Sequence, residues 1–203
     1  LGGRSRNGWG SYELLPAPEG GSGAERKRLP LRLWSDCLAL DWPHAIGQDE
    51  KGPLIWKTAE HDDWKSLMRT LAIVKIGLRT QLRFTTGRGA PHPEERHWLA
   101  YPVTNHDVRT WNALRLPNQL RFKVRRTEGG KLIGVIFHMP HLPPAAFAPN
   151  RTAIEKVWEC VHQFLNALMQ VADQRTYCGL ANKEALQKQA QQLASVKLER
   201  STE

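Results

Sequence analysis

Apolar positions recur at three- and four-residue spacing in two stretches of the chain. Trp64, Leu67, Met68, Leu71, Val74 and Leu78 share one face of a predicted helix capped by Thr58 or Asp62, with Lys65, Arg69, Lys75 and Arg79 mostly off that face. Ile154, Val157, Trp158, Val161, Phe164, Leu165, Leu168 and Val171 form a broader stripe after a cap at Asn150 or Thr152. Between these helices the period changes to two. Leu120, Phe122 and Val124 alternate with Arg121, Lys123 and Arg125, and the TEGG turn leads into a second arm from Lys131 to Met139. This predicts a hairpin with one apolar and one cationic face.

Weaker patterns predict strands at Trp9–Leu15, Leu31–Trp34 and His97–Thr104, the last at an edge because of Pro102, and a polar helix from Glu184 to Arg200 carrying Leu186, Leu193 and Val196. Cys37 to Pro53 shows turn residues without a period, Thr85 to Glu95 is a Gly/Pro loop, and PAPEGGSG at 16–23 is linker composition. The resulting fold class is α+β, two long helices on an antiparallel sheet.

Composition narrows the class. Hydrophobic residues at 40% and charged residues at 24% are those of a globular chain, and no apolar run reaches membrane-spanning length, so a soluble protein is expected. Cys37, Cys160 and Cys178 lack framework spacing, which favours a reducing compartment such as the cytoplasm. Lys and Arg exceed Asp and Glu by 29 to 20, and this excess of +9 fits a polyanionic partner. Eight tryptophans, most expected in the core, accompany those cations; aromatic and Arg side chains together suit stacking on unpaired bases.

Two features point to where such a partner would bind. In the opening stretch, LGGRSRNGWG, closely spaced glycines let backbone N–H groups approach a phosphate while Arg4 and Arg6 supply forked donors. The stretch lacks the Lys-Ser/Thr end of a Walker loop and the spacing of a dinucleotide fingerprint. A second basic surface is expected on Arg79, Arg83, Arg88, Arg121, Lys123, Arg125 and Arg126. The Arg121/Lys123/Arg125 row reads equally well as an edge strand protected from aggregation by charge.

Other chemistry has less support. His92, His97, His106, His138 and His141 are the residue type for metal-independent RNA cleavage, His106 having the most polar flanks. His138-Met-Pro-His141 lacks companion ligands for zinc, so neither a metal nor a cofactor is expected. Of the carboxylate pairs Asp62-Asp63 and Glu94-Glu95, the first sits where a helix dipole accounts for it.

GGRSRNGWGSYEL strongly resembles the glycine-rich loop of the RAMP proteins of CRISPR systems. Downstream, VKIGLR, YPVTNH, RLPNQLRFKV and GVIFHMPHLPP look like the C-terminal half of the first RAMP subunit of the type III-B (Cmr) effector, so the resemblance extends to about Val171. It implies ferredoxin-like (RRM-like) domains: residues 1–23 as the loop, last strand and linker of a first domain, 24–180 as a second domain, and 181–203 as a polar helix or tail. It also implies that Leu1 is not the natural start and that most of the first domain lies upstream.

The implied function is a non-catalytic RNA-binding subunit in antiviral defence, with guide RNA, target RNA and neighbouring RAMP subunits as partners. Carried over position by position, the loop contacts fall on Gly3, Arg4, Arg6, Gly8, Trp9 and Gly10. RAMP relatives that process guide RNA carry a catalytic histidine, which makes an endoribonuclease the main rival; a protein-only scaffold is the other. The processing relatives place the Gly-rich loop near the C-terminus and the histidine early, an order this chain does not reproduce.

Overall fold

The computed structural model describes residues 11, 30–85, 87–169 and 192–201. The loop positions Gly3, Arg4, Arg6, Gly8, Trp9 and Gly10 lie outside the described residues, as do Val171, Cys178 and the expected helix up to residue 191.

The structure is α+β, with two sheets. A small sheet joins β1 (Leu31–Leu33), β2 (Ile46–Asp49) and β3 (Gly52–Pro53), with β1 parallel to β2 and β3 antiparallel to it. The main sheet is assembled in the chain order β4 (Ile55–Thr58), α1 (Trp64–Thr80), β5 (Leu120–Arg126), β6 (Leu132–His138), α3 (Arg151–Ala167) and β7 (Leu198–Arg200), the short helix α2 (Glu95–Leu99) falling between α1 and β5. Its strand order is β5-β6-β4-β7, every neighbouring pair antiparallel.

One face of the main sheet carries the helices. Phe122 pairs with Ile136, which pairs with Trp56, and all three are buried. Gly134 lies on that face so close to α1 that an added Cβ would come within 2.6 Å of Leu71 Cδ2. α3 presents Ile154, Val157, Trp158, Val161, Phe164 and Leu165 to the same core, and Trp56 Nε1 donates to Asn166 Oδ1 at 2.9 Å. Burying such side chains contributes about 2 kcal/mol each before chain entropy is set against it. Arg200 ties the two sheets together: its guanidinium grips the Asp49 carboxylate at 2.5 and 3.0 Å and donates to the carbonyls of Gly52 and Pro53. Burial alone would raise the Asp49 carboxyl, yet the hydrogen bonds from Arg200 and from Lys51 N–H hold it below the usual carboxylate range.

Several local expectations are revised. α1 is capped by Asp63, whose side chain accepts from Ser66 N–H, because that residue has the extended backbone that lets its carboxylate reach back. Thr58 instead ends β4, where its Oγ1 accepts from Gly134 N–H. Trp64 is 45% exposed: as the first helical residue it precedes the turn that reaches the sheet. The expected strand at His97–Thr104 starts as helix α2, since His97, Trp98 and Leu99 are buried consecutively rather than alternately. The end of the expected polar helix is strand β7, added beside β4.

Candidate functional site

On β5 the strand alternation that sends Leu120, Phe122 and Val124 toward the helices sends Arg121, Lys123 and Arg125 to the other face. Their cross-strand partners on β6 are Phe137, Val135 and Ile133, and beyond these on β4 lie Ile55 and Lys57. The row of cations, its members about 6.8 Å apart along the strand, therefore borders an apolar strip. Val135 in that strip is buried and Ile133, Phe137 and Ile55 are half-buried, while Arg125 and Lys57 stand exposed at its margins. Glu199, opposite Lys57, is the acidic residue that β7 adds to this face. Burial, and then the neighbouring charge of Arg121, hold the Lys123 ammonium below its ordinary value. Among the described residues no carboxylate comes within 4 Å of Lys123.

Among the described residues β5 is an edge strand, and Ser11 meets its edge. The N–H of Val124 donates to Ser11 Oγ at 2.9 Å. Ser11, which follows the Gly/Arg stretch in sequence, is thus held against the strand that carries the cationic row.

The remaining arginines of the expected basic surface are placed elsewhere. Arg126 falls on the opposite side of the alternation and donates to Gly130 O within the hairpin turn. Arg79 sits on the last turn of α1, on the helical side of the sheet. Arg83 and Arg88 are exposed in the following loop, where Arg83 N–H donates to Glu95 Oε2 at 2.6 Å and Arg88 Nη2 to Asn105 Oδ1 at 3.2 Å.

Arg79 lines a cleft of about 250 Å³ together with Phe84, Arg96, Leu99, the 100–104 segment and His106. Three chain segments build it. Glu94 and Glu95 clamp residues 83–85 onto α2 by accepting from Thr85 N–H, Thr85 Oγ1 and Arg83 N–H, which sets the Phe84 ring in place. Arg96 Cζ lies 4.8 Å from the centre of that ring and the His106 ring 4.1 Å from it. A tight turn, closed by His106 N–H to Val103 O with Asn105 in the left-handed region at φ 61°, returns His106 to the wall. Arg96 and Phe84 were not legible as site residues, because nothing linear links them to Arg79.

No family model, curated protein or solved structure matches the chain. Function must therefore be argued from its residues.

The histidines divide by environment. His92 is exposed, while His97 is buried, accepts at Nδ1 from Glu94 N–H and is held below its ordinary value by burial. His138 Nδ1 and His162 Nε2 share a buried hydrogen bond of 2.9 Å, and the His138 ring lies 4.0 Å from that of Trp158. His141 Nδ1 bonds Met139 O instead, so the two rings of the His-Met-Pro-His stretch are engaged separately. Among the described residues no three His, Cys, Asp or Glu side chains come together as a metal would need. Burial raises the thiols of Cys37 and Cys160, leaving them protonated and poor nucleophiles. Asp62 forms an exposed ion pair with Lys131 at 2.8 Å. No helix among the described residues is long and apolar enough to cross a membrane.

Proposed function

We propose that the chain is an RNA-binding subunit of a type III CRISPR effector of the RAMP superfamily, resembling the first RAMP subunit of the Cmr complex. It acts in the cytoplasm, contacts guide RNA, and has no catalytic chemistry of its own. The core is read as a ferredoxin-like domain, a reading supported by the β-α-β-β-α-β order and the β5-β6-β4-β7 sheet.

The observation that carries the functional reading is the hydrogen bond to Ser11, the residue that follows the Gly/Arg stretch in sequence, from Val124 on the strand of the Arg121/Lys123/Arg125 row. By residue type the stretch supplies glycine backbone donors, the guanidiniums of Arg4 and Arg6 and the ring of Trp9, and with a cationic strand bordering Phe137 these are the ingredients of a site for single-stranded RNA. The strand's cations meet phosphates; the apolar strip gives bases a surface to lie on.

The test is a titration of guide-length, fluorescent single-stranded RNA with the full chain at several salt concentrations, the mixtures being run on a denaturing gel afterwards. Saturable binding that weakens linearly in log salt, with intact RNA, is expected. Binding independent of salt, or absent at low salt, overturns the reading in favour of a protein-only scaffold. Cleaved RNA overturns its non-catalytic part, with His106 the first residue to replace.

A further inference from the structure

We propose that the cleft between the end of α1, α2 and the 100–106 segment is a separate binding site for a phosphate monoester, the terminal phosphate of a nucleotide or of an RNA chain. It lies on the helical side of the sheet, away from the β5 row, and does not depend on the RNA-subunit reading.

Two guanidiniums, Arg79 and Arg96, and the imidazole of His106 converge on this cleft. Among the described residues no carboxylate comes within 4 Å of either arginine. The two acids adjacent to Arg96 in sequence are occupied, Glu94 by Thr85 and Glu95 by the backbone of Arg83. The cleft thus gathers positive charge in a half-buried place without neutralising it, an arrangement that is costly alone and favourable around an anion. Burial and then Arg79 lower the Arg96 guanidinium, and burial with Arg79 one turn away pulls Lys75 down to about 8.

Shape and chemistry select the ligand. Two planar forks suit a tetrahedral oxyanion that offers several oxygens, and a monoester carries nearly two negative charges at neutral pH, against one for a diester or a carboxylate. The cleft, of about 250 Å³, has room for a phosphate and its sugar. The Phe84 and His106 rings, packed on each other at 40°, give the cleft an aromatic side beside the charges.

Calorimetric titration of the full chain with inorganic phosphate, adenosine 5′-monophosphate and adenosine tests this, alongside short RNAs with and without a terminal phosphate. The monophosphate should bind saturably and adenosine should not. Arg79→Gln and Arg96→Gln should each weaken binding by about tenfold or more, whereas Lys51→Gln, exposed in the turn between β2 and β3, should leave it unchanged. Arg96→Lys keeps the charge but loses the fork, and serves where a glutamine variant fails to fold. If phosphorylated RNA displaces the mononucleotide, the natural source is an RNA end; if it does not, the source is a free nucleotide. Equal affinity for adenosine and its monophosphate, or arginine variants that bind like wild type, would overturn the proposal.

Discussion

Neutralising the β5 row should change how RNA binding depends on salt, by an amount the structure fixes. Each phosphate neutralised on a single strand releases about 0.7 of a counterion, so log affinity falls with log salt by about 0.7 per contact. Arg121, Lys123 and Arg125 share one face of one strand. If all three meet phosphates, replacing them with Gln should flatten the slope by about 2. Between 50 and 200 mM salt the wild type would then lose about 20-fold more affinity than the triple variant. Arg121 and Lys123 are half-buried and Arg125 exposed, so folding must be checked by the unfolding midpoint. Should Arg121→Gln disturb it, the Lys123→Gln/Arg125→Gln pair alone predicts a flattening of about 1.4. Fluorescence anisotropy at five salt concentrations reads both slopes. Parallel lines from folded proteins would show that the row does not touch phosphate.

Trp158, fully buried against His138, should cost about 3–5 kcal/mol on replacement by Ala in chemical denaturation, and a near-silent change would remove it from the core. Acid should weaken the fold before the carboxylates titrate. Burial holds His162 at about 3, against roughly 6.5 in the unfolded chain, and burial lowers His138 as well. The unfolded chain therefore binds more protons below that value, and the stability is complete above pH 6.5 and lost on descending toward 3, by up to about 1.4 kcal/mol per pH unit for each histidine. Denaturation at pH 7.5, 5.5 and 4.5 measures this; a flat profile, or a slope that His162→Gln does not reduce, would contradict it.

The sequence carried the long local signals and hid the long-range ones. α1 and α3 run 17 residues each, enough turns for the apolar spacing to stand out, and the β5–β6 hairpin is stated by its own alternation and turn. β4 was hidden because Leu54, Ile55 and Trp56 make too short an apolar run to separate strand from the approach to a helix. Its central place comes from pairing with β6 and with β7, partners about 80 and 140 residues away. β7 was hidden for the same reason, since Leu198 reads as one more apolar position in a helical tail until its register with Thr58 is known. His162 broke the apolar stripe of α3 as a polar residue, and only the opposing His138 makes it a satisfied core position. The cleft drew on α1, α2 and two loops, and one of its two arginines, Arg79, could be flagged as basic but not placed.

The cationic row had two readings, an RNA surface or a charged guard on an edge strand, and the structure supplies an argument between them. A guard is needed where strand N–H and C=O groups are left open to a passing strand. On β5 the N–H of Val124 is already given to Ser11, so the edge is at least partly closed by the chain itself. A face that sets three cations against an apolar strip, with Lys123 held below its ordinary value by burial and by Arg121, gains most from an anion that brings its own flat apolar surface. Single-stranded RNA is such an anion, whereas solvent screens the charge and adds nothing to the cover of the half-buried Ile55, Ile133 and Phe137.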